Sequence, residues 1–355
     1  MEDARSALSS SRPGFTVGGQ AQPALDAGLL RCVCADQEAG LKHLEAEFSN
    51  WGAQGDATGF TWFDRATLEF GRELLVKIGS ATVFEGVIMA IEARFPALAP
   101  PTVVIHAEDR LQDLRMTRRT RVFENQSDVG IAQSVASDHG LTLQGDLSGP
   151  SFSVVTQINQ SDLAFLRQRA LLADADLWLD GRTLHLRQRA SRADSGLELV
   201  HGARLRQFEV LADLSHQRTS LTCTGWNVGD KSAIHAQATD SAIAGETGAG
   251  TSGPAVLRQA LGERKDTFAH GVPLEQGAAQ RMAEAHMRAL ARRFLRGRGL
   301  ADADARLQVG QTVKLSGLGP LFSGSYGVVE TSHRFDAAVG LRTEFVVERA
   351  WIGNP

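Results

Sequence analysis

The end of the chain repeats part of its beginning, and this repeat limits the possible folds more than any other feature. The early copy consists of Val76-Lys77-Ile78-Gly79, Phe84-Glu85-Gly86, Ile91-Glu92-Ala93-Arg94-Phe95 and an apolar strand over 102–108. The late copy consists of Val313-Lys314-Leu315-Ser316-Gly317, Phe322-Ser323-Gly324, Glu330-Thr331-Ser332-His333-Arg334-Phe335 and an apolar strand over 344–349. Each copy predicts two strands joined by a glycine-containing turn and followed by a third strand. The order of the matches favours a duplicated β-barrel over a chance likeness between two hairpins.

Composition narrows the class of protein. The chain has 355 residues, of which 43% are hydrophobic and 22% charged, enough for two or three domains with real cores. A net charge of -4 gives no basic field for nucleic acid. No apolar run reaches the roughly 20 residues of a membrane helix, and the acidic start Met1-Glu2-Asp3 differs from a signal peptide. We therefore expect a chain made and folded in the cytoplasm, without insertion into a membrane.

Three cysteines, Cys32, Cys34 and Cys223, are too few for a disulfide framework. We interpret them as small buried hydrophobic residues, and they predict no metal site. Ten histidines are present, but none has a metal-ligand spacing, and no nucleophile elbow occurs. A glycine-rich stretch over 245–253 lacks the features of a phosphate loop. The sequence therefore predicts no catalytic residues, no cofactor and no metal.

The pattern along the chain predicts a mainly β protein with an α+β insert. Two similar antiparallel β-barrel domains are joined by a small α/β region and one long helix. We expect a flexible N-terminus over 1–28, a first barrel over 29–109, an α+β connector over 110–196 and a second barrel over 197–355. Within the second barrel domain we place a flexible excursion at 240–256 and the long helix at 274–296.

The connector contains a second internal echo. Asn125-Gln126-Ser127-Asp128 recurs as Asn159-Gln160-Ser161-Asp162, and each tetrapeptide precedes a helical stretch. Side chains of this type accept hydrogen bonds from the free amides of a helix's first turn, so both segments are predicted to be N-caps. Farther on, Asp180-Gly181 lies between alternating apolar runs and predicts a hairpin.

With these segments in place, the chain resembles the phage late control D family. These are baseplate hub proteins of contractile tails, related to the hub portion of VgrG-type spikes in type VI secretion. The resemblance runs from about residue 30 to 350, and its motifs are loose individually but specific in their order. The segments that carry it are Phe123-Glu124-Asn125-Gln126-Ser127-Asp128, 158–166, Leu177-Trp178-Leu179, Gln308-Val309-Gly310 and Phe322 to Val329, with His333 and Phe335.

The resemblance implies a structural role without catalysis. The chain would be a homotrimer whose two tail-tube-like barrels form a pseudo-sixfold ring, matching a hexameric inner tube protein on one side. A separate trimeric spike protein would sit on the other side, with other baseplate proteins around it, in a phage tail or injection particle. Our candidate tube contacts are Phe84, Glu85, Gly86, Phe322, Ser323 and Gly324. Arg281, Arg288 and Arg292, on one face of the long helix, are candidates for a charged assembly interface or simply a solvated face.

Two alternatives remain open at this point. One is a cell-wall hydrolase delivered by the same kind of particle, which would turn over peptidoglycan. The other is a binding module, such as a carbohydrate-binding β protein, which would favour aromatic platforms. Aromatic residues make up only 6% of the chain, with one tyrosine, which argues mildly against the second alternative.

Overall fold

The computed structural model describes residues 12–354 except 55, 249, 270, 272 and 274. Strands dominate, so the predicted mainly β class with an α+β insert is confirmed. The N-terminal part contains one short helix, α1 (Pro23–Gly28). Its strands are β1 (Gly14–Val17), β2 (Gln20–Ala21), β3 (Leu29–Gln37), β4 (His43–Ser49), β5 (Trp51–Gln54), β6 (Ala57–Phe60), β7 (Glu73–Ile78), β8 (Ala81–Arg94) and β9 (Thr102–Glu108).

An α+β insert follows, with its own apolar core. Its helices are α2 (Leu111–Arg115), α3 (Asp128–Asp138) and α4 (Asp162–Leu172), with a 3-10 turn at Arg189–Ser191. Its strands are β10 (Arg118–Gln126), β11 (Thr142–Asp146), β12 (Phe152–Ser161), β13 (Ala175–Asp180) and β14 (Thr183–Gln188). The two predicted N-caps are confirmed, because the Ser127 and Ser161 hydroxyls each accept a 3.2 Å hydrogen bond from a first-turn amide. The predicted hairpin at Gly181 is confirmed by the antiparallel pairing of β13 with β14.

The C-terminal part is again rich in strands. Its helices are α5 (Gly253–Leu261), α6 (Gln276–Arg292) and α7 (Gly319–Phe322), with a 3-10 helix at Asp240–Glu246. Its strands are β15 (Ala193–Val200), β16 (Leu205–Ala212), β17 (Ser220–Asn227), β18 (Ser232–Thr239), β19 (Thr251–Ser252), β20 (Lys265–Phe268), β21 (Leu295–Asp302), β22 (Gln311–Ser316), β23 (Gly324–Asp336), β24 (Gly340–Arg349) and β25 (Trp351–Ile352).

Three expectations about order along the chain need correction. Residues 12–28, predicted to be flexible, form β1, β2 and α1, because Phe15 and Val17 alternate into the core and β1 pairs with β7. The predicted excursion at 240–256 is largely built, since Ile243 is buried and the Ser252 hydroxyl caps α5. The long helix runs over Gln276–Arg292 and is shorter than 274–296. Residues 1–11, 249 and 274 of these segments lie outside the described residues.

Most strands of both halves belong to one continuous 13-stranded sheet. We call β3, β4, β9, β8 and β7, in their order across the sheet, the first unit, and β16, β21, β24, β23 and β22 the second unit. Neighbouring strands within each unit are antiparallel. Each unit surrounds its own apolar core. The predicted three-strand repeat, β7-β8-β9 and β22-β23-β24, thus extends to five strands.

The two units also share two register irregularities, while a third, between β7 and β8, has no counterpart between β22 and β23. In the first unit the long strand has a bulge at Met89, and in the second at Val329. A second bulge occurs at Leu30 in the first unit and at Arg206 in the second. When the units are aligned on these bulges, the cross-strand pair Ile88 and Ala107 corresponds to the pair Val328 and Val347. In the same way, the pair Leu29 and Phe48 corresponds to the pair Leu205 and Ala301. A bulge kinks a strand at a defined position, so two matched bulges make a chance likeness between the units an inadequate explanation.

The two units are joined by one strand. β23 pairs with β22 through its first half, then crosses to pair with β3 of the first unit over Glu330–Asp336. Phe335 on this stretch is only 4% exposed and packs into the core of the first unit. The joint between the units is therefore a strand pairing with an aromatic side chain inserted across it.

Candidate interaction surfaces

The first predicted contact segment is mostly internal. Phe84 has no exposed surface and lies in the core of the first unit. Gly86 is buried where β8 and β9 approach closely, and a Cβ there would lie 2.2 Å from the carbonyl oxygen of Glu108. Glu85, which points away from the core, is exposed. Of these three candidates, only Glu85 offers its side chain to a partner.

The second predicted segment, Phe322-Ser323-Gly324, is half-buried at the edge of the second core. The Phe322 carbonyl accepts a 2.7 Å hydrogen bond from the Tyr326 hydroxyl, and the Ser323 hydroxyl accepts one of 3.1 Å from the Leu318 amide. The matched bulges place Gly324, rather than Phe322, at the position of Phe84. The sequence alignment of the two tripeptides is therefore displaced by two residues, because Phe322 precedes β23.

The predicted arginine face of α6 is used mainly within the chain. Arg292 is buried, and its guanidinium binds both carboxylate oxygens of Asp174 as well as Glu246 at 2.7 Å. Arg288 donates a 2.9 Å hydrogen bond to the Ala242 carbonyl and forms an ion pair with Glu284. Arg292 is therefore buried and fixes α6 to the insert, so within one chain its side chain is not presented at the surface. Arg281 is half-buried and lines a cavity of about 220 Å³ between α6 and the insert.

A second ionic cluster, which sequence reasoning missed, lies where the insert meets both units. Arg192 contacts Asp176 of the insert at 2.8 Å, Glu38 after β3, and Glu348 of β24 at 3.9 Å. Burial alone would raise the pKa of Asp176, but the hydrogen bonds and charge of Arg192 hold that pKa below its usual range. Burial raises the pKa of Glu348. The arginine-rich composition was the available signal, but no local pattern pairs residues this far apart.

Besides the terminal strand β2 and the strand β15, two further strand edges of the sheet lack a strand partner among the described residues. The order of the 13-stranded sheet ends at β16, so within the described residues one edge of that strand has no strand partner, apart from an isolated bridge between Leu205 and His201. In β8, the stretch from Ala90 to Arg94 extends beyond its pairing with β7 and, in the described part of the chain, pairs with β9 alone. Next to it, Phe95 is 64% exposed and contacts the rings of Phe60 and Phe63.

No group of three or more potential metal-ligating side chains occurs in the described part of the chain. Among the helices described here, none is long and apolar enough to cross a membrane.

Comparison with known proteins places this architecture in a family. The family described as "Alg8 N-terminal domain" matches residues 54–336. The chain belongs to this family. No curated protein sequence matches the chain.

Solved structures share the fold at low sequence identity. A 43 kDa tail protein of prophage MuSo2 from Shewanella oneidensis superposes with a TM-score of 0.73 at 14% identity, covering 96% of this chain and 98% of that one. A tail protein from Neisseria meningitidis gives 0.69 at 12% identity, with coverages of 96% and 97%. An E. coli protein described as a component of the type VI secretion system gives 0.55 at 13% identity, with coverages of 92% and 76%. The chain thus shares its fold with these two tail proteins and with that secretion-system component.

Proposed function

We propose that the chain is a structural baseplate hub of a contractile injection system or phage tail. In this role it is a homotrimer that joins a hexameric inner tube to a separate trimeric spike. The observation that carries the proposal is the duplication of a five-stranded unit with matched bulges. The tail-protein fold of its structural relatives supports the same role.

The physical reason is symmetry. A threefold object meets a sixfold one over its whole face only if it presents six nearly equivalent surfaces. One chain supplies two such units, so three chains supply six. A monomeric hydrolase has no comparable need for a duplicated unit, whereas in a symmetry adaptor the duplicated units form the six equivalent contact surfaces.

The proposed partners meet the ring on opposite faces. The tube subunits contact the turns and strand ends of the two units, and Glu85 is the exposed member of our candidate contacts there. The spike and other baseplate proteins contact the remainder of the trimer. The role is non-enzymatic, and the chain is assembled in the cytoplasm before it becomes part of the particle.

The test is the native mass of the purified chain at micromolar concentration, followed by electron microscopy with the tube protein. We expect a mass near three times 38.1 kDa and a ring that caps the tube. A chain that stays monomeric even with tube and spike proteins present would contradict the proposed function. A trimer that never binds the tube would contradict the adaptor role while leaving trimerisation intact.

A further inference from the structure

One strand pairing joins the two units within a chain. The repeat provides the edges for a second, equivalent pairing, which does not form within a single chain. Within the chain, residues 330–336 of the second unit pair with β3 of the first unit. By the matched bulges, residues 330–336 correspond to residues 90–96 of the first unit, and β3 corresponds to β16 of the second unit. Residues 90–96 and β16 are the two unpaired edges described above.

We propose that these two edges pair with each other between two copies of this chain. The register follows from the pairing within the chain, where Thr331 lies opposite Asp36 and Phe335 opposite Cys32. Residues 90–96 of one copy run antiparallel to β16 of the next. The predicted opposing pairs are Ile91–Ala212, Glu92–Leu211, Ala93–Val210, Arg94–Glu209 and Phe95–Phe208.

Burial at corresponding positions supports this pairing. Phe335 is 4% exposed because it enters the core of the adjoining unit, whereas its counterpart Phe95 is 64% exposed. His333 is buried at the joint, whereas its counterpart Ala93 is exposed. An exposed Phe at a position that is buried in the other copy of a repeat indicates a missing neighbour.

The receiving side shows the same difference. Cys32 and Cys34 on β3 are each 3% exposed beneath the joint, whereas their counterparts Phe208 and Val210 on β16 remain only half-buried at the edge of the second core. Docking of Phe95 would complete the burial of both side chains. Among the remaining opposing pairs, Arg94 and Glu209 carry opposite charges, which favours this register over like-charged alternatives.

The contact is head-to-tail, because each copy offers one edge of each kind. Such contacts produce a ring if the rotation closes and a filament if it does not. The inference rests on the self-association in the proposed function, to which it adds the residues that make the contact. It also explains why two unpaired edges, a known route to aggregation, are retained in one chain.

Site-directed crosslinking tests the register. The double variant Glu92→Cys with Leu211→Cys places two thiols on directly opposing residues of the exposed face. We expect oxidation to link chains covalently between copies. The matched control, Glu92→Cys with Gln207→Cys, uses the same face of β16 but separates the thiols by roughly 13 Å along the strand, so no link is expected. The natural cysteines are all free and buried, so we expect no link between copies of the natural chain.

A second experiment tests the inserted side chain. Phe95→Asp should place a charge in the apolar pocket of the neighbouring copy and abolish the oligomer. Leu98→Asp introduces the same charge at a fully exposed residue outside the paired stretch and should leave the oligomer intact. Circular dichroism and thermal melting show whether both variants fold as the natural chain does.

The outcomes separate this inference from the proposed function. If the natural chain is a trimer, but the opposing cysteines do not link and Phe95→Asp remains trimeric, the edge pairing is wrong and the hub proposal stands. If the variant with Glu92→Cys and Leu211→Cys forms the link and the control variant does not, the edge pairing is supported even where no tube binding occurs. Equal linking in both cysteine variants would overturn the proposed register.

Discussion

At the scale of single residues, the repeat shows how one position takes on different environments in two copies of a unit. His333 is buried at the joint between the units, with its Nδ1 2.8 Å from the Thr343 hydroxyl oxygen, whereas Ala93 stands at the corresponding exposed position. Burial, with a smaller contribution from the nearby Lys42, lowers the pKa of His333 to about 4. The imidazole is therefore neutral in the folded protein at physiological pH.

This pKa predicts a loss of stability on acidification. The pKa of His333 in the unfolded chain is near its ordinary value of 6.5, so between pH 6.5 and pH 4 the unfolded state binds a proton that the folded state does not. The free energy of unfolding should fall through this range by up to about 3 kcal/mol, at 1.36 kcal/mol for each pKa unit. Urea titrations at a series of pH values from 7 to 4 measure this free energy of unfolding.

The variant His333→Gln separates the effect of this histidine on stability from the effects of other titrating groups. Burial raises the pKa of the nearby Asp109 to about 6, which acts in the opposite direction over the same pH range. The difference between the natural chain and His333→Gln removes that contribution. Parallel curves for the natural chain and His333→Gln would show that His333 does not cause the loss.

At the scale of elements, ion pairs rather than apolar contact alone fix the long helix against the insert. α6 packs on β17 and β18 through small residues such as Ala279 and Ala283. On another side, Arg292 reaches Asp174, whose side chain is also buried, and Glu246. The pKa of Arg292 is raised by these two carboxylates despite its burial, so its guanidinium stays charged.

Removing that charge should destabilise the fold rather than the assembly. Arg292→Met keeps an apolar side chain but leaves the buried Asp174 carboxylate without its principal partner, and such losses cost about 3–5 kcal/mol. Arg281→Met, on the same helix but half-exposed, is the control and should change stability by less than about 0.5 kcal/mol. Denaturant titration of both variants gives the values. Full stability of Arg292→Met together with lost assembly would restore Arg292 as an interface residue.

At the scale of the whole molecule, the two units act as one body because a strand of the second unit completes the sheet of the first. The Phe335 side chain is shared between them, as it extends from β23 into the core of the first unit. The insert adds the Arg192 cluster, which contacts both units through Glu38 and Glu348. A joint made of a strand pairing, an aromatic anchor and buried ion pairs favours a fixed angle between the units.

Truncating the anchor should therefore weaken the whole chain. Phe335→Ala removes a buried ring and should lower the free energy of unfolding by about 3–5 kcal/mol. The counterpart Phe95→Ala removes an exposed ring and should cost the isolated chain less than about 1 kcal/mol. Denaturation in dilute solution, where copies are separated, measures both. Equal losses would show that Phe335 has no special role at the joint.

The sequence by itself determined the mainly β class, the repeated three-strand order, the two serine caps and the hairpin at Gly181. These features depend on residues close together in the chain, so that periodicity, cap residues and turn residues report them directly. Only the tertiary structure decided that β23 crosses to β3, that Phe84 and Arg292 are internal, and that two strand edges are left open. Each of these depends on the register of strands far apart in sequence. That register leaves no local signal in the sequence, so the tripeptides that match in sequence, Phe84-Glu85-Gly86 and Phe322-Ser323-Gly324, lie two residues out of correspondence in space.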